Sequence, residues 1–240
     1  MKIKAVYFDR DNTLTKKNFE LNEKLKNKIE SISHTNYVMN NEKMFNIFKT
    51  IKAKGHNCKT YENEVAFYKE YYKELLRVEG LTDENVIDKY SLELFNMMWL
   101  KDRVLFDEVK FVLKELKHLN IKVGIISDTT PSLQKTLETL NIGNYIDCYT
   151  SSTEAGVMKP DPKIYNLALS KLNLKANECI YVDDYDEEVI GAEKLGFKAF
   201  RINRNNLEKQ YFDISSLIEI IDYINKTNNE ELTKWKRIKR

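Results

Sequence analysis

Hydrophobic positions change their rhythm along the chain. Ile3–Phe8 is a short apolar run that stops at acids, Asp9 and Asp11. From about Lys16 to Arg103 the apolar residues recur at helical spacing: Phe45, Ile47, Phe48 and Ile51, then Tyr68, Tyr71, Tyr72, Leu75 and Leu76, then Val86, Ile87, Tyr90, Leu94, Phe95 and Met98. This stretch has no proline, and its only glycines are Gly55 and Gly80. It predicts four helices, broken near Ser33–Met39, Gly55–Cys58 and Gly80–Thr82. The tyrosine stripe reads as the core of this helical segment.

Beyond Arg103 the pattern alternates. Val109–Leu119 is helical, Ile121–Ile126 is an apolar run followed by Ser127 and Asp128, and Pro131 suits the first turn of a helix through Leu140. Tyr145–Thr150 reads as a strand and Pro162–Leu172 as a helix. Cys179–Val182 is a strand ending in Asp183 and Asp184. Glu187–Leu195 is a helix closed by Gly196, and Phe197–Ile202 is a last strand. Strand–helix alternation of this kind predicts an α/β fold with a parallel sheet covered by helices on both faces. The expected organisation is a core of residues 1–15 and 104–240, interrupted after its first strand by a helical bundle of residues 16–103. The polar tail from Asn228, ending WKRIKR, reads as a solvated terminal helix.

Composition narrows the partners. Thirty-nine Lys and Arg nearly cancel 37 Asp and Glu, for a net charge of +2, so general electrostatic capture of nucleic acid is not expected. The three cysteines, Cys58, Cys148 and Cys179, have no metal-ligand spacing and fit a reduced compartment. No run is long enough for a signal or a membrane span. The expectation is a cytoplasmic protein without a membrane or nucleic-acid partner, either a monomer or a homodimer. His34 and His118 read as structural.

The chemistry lies at the strand ends, where ligands bind in doubly wound sheets. Reading those ends gives Asp9 and Asp11, then Ser127, then Asp183 and Asp184, with Lys159 added by the loop VMKPDP. Four carboxylates at one sheet edge repel one another unless a cation sits among them, and a hard divalent ion such as Mg²⁺ takes oxygen ligands of this kind. Residues i and i+2 of an extended segment face the same side, so Asp9 and Asp11 share one small space. One can attack while the other handles protons. Lys159 can neutralise charge and Ser127 can donate a hydrogen bond, a set suited to phosphoryl transfer.

The segments FDRDNTLT, IISDT, VMKPDPKIY and YVDDYDEEVIGAEKLGF resemble, in order and spacing, the four motifs of the haloacid dehalogenase-like (HAD) hydrolase superfamily. The likeness covers residues 1–15 and about 104–205. It implies a Rossmann-like core and a phosphatase with Asp9 as nucleophile and Asp11 as general acid and base. Ser127 would bind the phosphoryl group and Lys159 would stabilise its charge. Mg²⁺ would be held by Asp9, the backbone carbonyl of Asp11, and Asp184, with Asp183 and Glu188 behind them. Asn12, Asp128 and Thr129 would lie against the substrate. The helical insert resembles a C1-type cap, whose loop with Lys54 and His56 is a candidate for substrate choice. Three departures stand out: Asn12 where Gly is usual, Arg10 where an apolar residue is usual, and Asp128 where Asn is frequent.

The resulting expectation is hydrolysis of a small phosphorylated metabolite through an aspartyl-phosphate. The dehalogenase branch lacks an acid at the position of Asp11. Phosphonate hydrolysis would need a cap lysine that forms an imine. The rival readings are a phosphomutase acting on a sugar phosphate, which would return the group to a second hydroxyl, and a phosphate-sensing or interaction protein that has lost turnover.

Overall fold

The computed structural model describes residues 2–204, 208, 210 and 212–238, with side chains described as far as 229. Two compact units emerge: Met1–Lys16, Leu105–Thr129 and Leu133–Arg240 form one, and Lys17–Val104 with Thr130–Ser132 the other.

In chain order the elements are β1 (Ala5–Phe8), β2 (Thr15–Lys17), α1 (Phe19–Ser33), α2 (Asn41–Ala53), α3 (Tyr61–Val78), α4 (Glu84–Met98), β3 (Arg103–Leu105), α5 (Val109–His118), β4 (Lys122–Ser127) and α6 (Leu133–Thr139). There follow β5 (Cys148–Ser151), α7 (Ser152–Ala155), α8 (Pro162–Leu172), β6 (Cys179–Asp183), α9 (Asp186–Lys194), β7 (Lys198–Ile202), β8 (Asp213–Ile214) and α10 (Ile218–Ile238).

The main sheet has the order β5-β4-β1-β6-β7-β8, and every neighbouring pair is parallel. Its strands are buried on both faces, and alternate residues serve opposite layers. Val6, Phe8, Val123, Ile125, Ile180 and Val182 pack with Val112, Leu113 and Leu116 of α5 and Ile220 and Ile224 of α10. Ala5, Tyr7, Ile126 and Tyr181 pack with Ile164 and Tyr165 of α8 and Val189 and Ala192 of α9. The α/β architecture with helices on both faces is therefore present. The chain leaves β1 towards β4 and β5, then crosses back to β6, so the carboxyl ends of β1 and β6 flank a topological switch point.

The helical unit has its own core, in which Ile29, Ile47, Ile51, Phe67, Leu75, Leu76, Ile87 and Leu94 come together from α1 to α4. Its helices start where short polar side chains accept from the first turn: Asn18 for α1, Asn40 for α2, Thr60 for α3 and Asp83 for α4. Within this unit buried Glu64 of α3 accepts from the Ser132 backbone N–H at 2.8 Å, from the Ser132 hydroxyl at 2.7 Å and from the Thr130 hydroxyl.

Some expectations shift. The helix after Pro131 begins at Leu133, and the Ser132 N–H just before it donates to Glu64. Tyr145 closes a short 3₁₀ turn, and the strand after it starts at Cys148. The last helix begins at Ile218 and buries Ile220 and Ile224 against the sheet, so its first half belongs to the core. The side chains of the terminal WKRIKR lie outside the described residues. The small pair β2–β3 has too few residues to leave a pattern in the sequence.

Candidate active site

Three strands of the main sheet deliver chemistry at their carboxyl ends. β1 stops at Phe8, and the Asp9 N–H donates to Val182 O at 2.9 Å, which fixes the first acid beside β6. The chain then turns tightly: Leu14 and Thr15 both donate backbone N–H groups to Arg10 O, and Asn12 N–H donates to Thr15 O at 2.7 Å. Asn12 has φ of +58°, in the left-handed region that asparagine enters more readily than most residues. The turn that glycine usually makes is thus made by asparagine here.

Lys159 is placed by its loop. Asp161 caps α8 by accepting from Lys163 N–H, and Pro162 occupies the first turn. Pro160 packs against Gly191 of α9 so closely that a Cβ on Gly191 would stand 2.6 Å from Pro160 Cβ. The Lys159 N–H donates to Asp128 Oδ1 at 3.1 Å. Asp128 is therefore a support of the lysine loop. Thr129 is occupied locally through its carbonyl, which accepts from the Ser152 and Thr153 hydroxyls at 3.2 and 3.1 Å.

The Lys159 ammonium is the centre of the cluster. It lies 2.8 Å from Asp9 Oδ1, 2.7 Å from Asp183 Oδ2 and 2.5 Å from Glu188 Oε2. Asp9 is 6% exposed, Lys159 7% and Asp183 1%, so these charges meet away from solvent. Burial alone would depress Lys159, but the three carboxylates hold it well above the ordinary lysine value. Burial works to raise Asp183 as well, and there Lys159 and the Tyr181 hydroxyl prevail and hold it low. Desolvation drives Asp9 up against the pull of Lys159, and the charges of Asp183 and Asp11 add to the rise. Asp184 is pushed up to about 6 by burial and by Asp183. Glu188 is pushed up by burial and by its contact with Asp183.

One lysine thus faces three carboxylates, with Asp184 close by. Asp9, Asp183 and Asp184 each offer an oxygen, and the three atoms lie within 4.8 Å of one another. A hard, oxygen-seeking divalent cation fits such a donor set. Both Asp183 oxygens are already engaged, one by Lys159 and Tyr181, the other by the Tyr185 N–H at 3.1 Å. Asp184 is held by Asn12 Nδ2, which donates to its Oδ2 at 3.1 Å, and by a backbone hydrogen bond of its own.

Asp11 is gripped from its own turn. Arg10 Nε donates to Oδ1 at 2.8 Å and Nη2 to Oδ2 at 3.0 Å, while the Thr15 hydroxyl donates to Oδ1 at 3.2 Å. Ser127, 2% exposed, ends β4, the strand beside β1. Lys54 belongs to the helical unit, where it pairs with Glu70 at 2.8 Å and Glu74 at 3.0 Å, and His56 is half-buried in the same loop.

Two contributors escaped the sequence reading. Tyr181 precedes Asp183 by two on β6 and shares its side of the strand, so the alternation that pairs Asp9 with Asp11 would have found it. Arg204 carries no such signal. It reaches the turn after Asp11 from 192 residues away.

Comparison with known proteins identifies the family and the fold. The family model described as haloacid dehalogenase-like hydrolase matches residues 3–196. A glyceraldehyde 3-phosphate phosphatase of Methanocaldococcus jannaschii is 28% identical over 233 residues, covering 92% of this chain and 97% of that protein. Among solved structures, a HAD phosphatase from Thermococcus onnurineus superposes with a TM-score of 0.62 at 20% identity, covering 92% of this chain and 98% of the other. A 2-haloacid dehalogenase from Pseudomonas syringae gives a TM-score of 0.67 at 18% identity, covering 93% and 99%. At such identities the structures speak for the fold alone, while the family model spans most of the chain and all the strand ends described above. The protein belongs to the haloacid dehalogenase-like hydrolases.

Proposed function

We propose that the protein is a Mg²⁺-dependent phosphomonoester hydrolase acting on a small phosphorylated metabolite. The observation that carries this reading is the buried contact of Lys159 with Asp9, together with a second aspartate, Asp11, two residues on. An ester oxygen leaves poorly without a proton, whereas a halide leaves as the free anion. A carboxyl at position 11 therefore favours phosphate esters over haloacids.

In this reading Asp11 leaves its pairing with Arg10 and takes a proton from solvent, Asp9 attacks phosphorus, and the ester oxygen departs with that proton. Asp11, now ionised, takes a proton from water, which attacks the aspartyl-phosphate and releases phosphate and free Asp9. Ser127 donates to a phosphoryl oxygen, and Lys159 balances the charge shared by Asp9 and the phosphoryl group. The carboxylates of Asp9 and Asp184 and the backbone carbonyl of Asp11 would hold Mg²⁺, which supplies positive charge to the transferring group. Asp183 and Glu188 keep Lys159 protonated and in place. The helical unit is read as a C1-type cap, with the Lys54–Lys59 loop, including His56, bearing on substrate choice.

The test is phosphate release from a panel of phosphorylated metabolites with Mg²⁺ or with EDTA. Triose phosphates come first, given the name of the M. jannaschii relative. Release is expected with Mg²⁺ only, and Asp9→Asn and Asp11→Asn are expected to lose nearly all of it while staying folded. Normal turnover in either variant overturns the roles assigned here, and isomerised sugar phosphate with little free phosphate would replace the hydrolase by a mutase.

A further inference from the structure

Arg204 follows β7 and lies on the outer side of the turn that carries Asp11. Its Nε donates to Asn12 O at 2.9 Å and its Nη2 to Thr13 O at 2.7 Å. The same Nη2 meets Glu108 Oε1 at 2.8 Å, and the guanidinium carbon stands 3.5 Å from the centre of the Phe106 ring. A planar fork held by a carboxylate and an aromatic face is a rigid donor, unlike a lysine in the same place. It grips two successive carbonyls just where the backbone passes through the left-handed region at Asn12. On the other side of the same residue, Asn12 Nδ2 donates to Asp184 Oδ2 at 3.1 Å.

We propose that Arg204 is a positioning residue that acts through Asn12 to fix Asp184 for the cation. The inference rests on reading the site as a Mg²⁺ centre. Among the described contacts Arg204 meets none of Asp9, Asp11, Asp183 and Asp184. It clamps the peptide on which Asn12 is mounted, and the Asn12 side chain donates the hydrogen bond that ties the Asp184 carboxylate to this turn. Glycine at position 12 could make the turn but could not relay the clamp. The asparagine at that position thereby has a use beyond the backbone angle, and Arg204, Asn12 and Asp184 form one chain of contacts. Partners standing behind metal ligands typically alter metal affinity by about 10–100-fold when removed.

The measurement is Mg²⁺ binding by titration calorimetry on the full chain without substrate, with thermal unfolding recorded in parallel. Arg204→Met is expected to weaken Mg²⁺ binding by about tenfold or more. Arg204→Lys should weaken it too, since one ammonium cannot reproduce the fork. Asn12→Gly keeps the turn accessible and removes only the relay, so it carries the test even where Arg204→Met does not fold. It is expected to match Arg204→Met, and the double variant should be no weaker than either single one. In turnover, kcat at limiting Mg²⁺ should fall with substrate KM unchanged, and excess Mg²⁺ should restore it. Mg²⁺ affinity within about twofold of wild type in Asn12→Gly or Arg204→Met overturns the proposal, as does additivity in the double variant. A wild-type protein that binds no Mg²⁺ overturns this inference and the hydrolase reading together, whereas unchanged affinity in the variants overturns this one alone.

Discussion

Asp128 is a test of how much one side chain's surroundings matter. By sequence it is an acid next to Ser127, where negative charge would oppose a phosphate. By structure its Oδ1 accepts the Lys159 N–H. An asparagine carbonyl oxygen can accept the same bond, so Asp128→Asn should leave kcat within about threefold of wild type, while Asp128→Ala loosens the lysine loop and should lower it further. Steady-state kinetics on the pair would check this. Gly191 is constrained in the opposite sense. A methyl there meets Pro160 at 2.6 Å, and overpacking of this sort costs about 1–3 kcal/mol. Gly191→Ala should therefore lower Tm and, because Pro160 adjoins Lys159, reduce kcat as well. The residues themselves were readable wherever they stood at strand ends: Asp9, Ser127 and Asp183 lie where the apolar runs stop. Asn12 was readable as a turn residue but not as a partner of Asp184, since that bond joins positions 172 apart in sequence.

Among the elements, the four helices of Lys17–Val104 were legible because their apolar spacing is long and their breaks fall at glycines and capping residues. The pair β2–β3 was not, because strands of three residues are too short to show a period. The start of α6 was also displaced: proline at 131 favours an earlier start than the Leu133 observed, and Ser132 before it donates its N–H and hydroxyl to Glu64. Glu64 is 1% exposed and satisfies three donors at once. Removing it strands these groups, so Glu64→Ala should cost about 3 kcal/mol, with Glu64→Gln costing less because one carbonyl oxygen still accepts. Denaturant titration would read the difference as a shift in midpoint at constant slope.

At the scale of the whole molecule, the acid cluster links stability to pH and to metal. Asp9 and Asp184 have pKa values raised above those of the unfolded chain, Asp184 to about 6. A carboxyl raised on folding binds its proton more tightly in the native state. It therefore favours the native state at low pH, and that contribution fades as pH climbs from the unfolded value near 4 through the folded one. Metal-free protein should lose Tm between about pH 4 and pH 7, and the gain in Tm on adding Mg²⁺ should grow over the same range as protons cease to compete for the ligands. Equal Mg²⁺ shifts at both ends of that range would contradict the placement of the cation on these acids. No helix among the described residues is long and apolar enough to cross a membrane.

The strand order has a consequence for assembly. β1 is the first strand made and sits in the interior of the sheet, yet its partners β4 and β6 begin at Lys122 and Cys179. A nascent chain must therefore carry a bare apolar strand, Ala5–Phe8, while more than a hundred further residues are synthesised. The helices between have mostly local contacts, which form early, whereas contacts distant in sequence wait for loop closure. Pulse-labelled hydrogen exchange during refolding should find amides of α3 and α4 protected before those of β1 and β6. The nucleophile at the end of β1 would then be among the last groups to reach its final surroundings, so that activity trails structure as the protein matures.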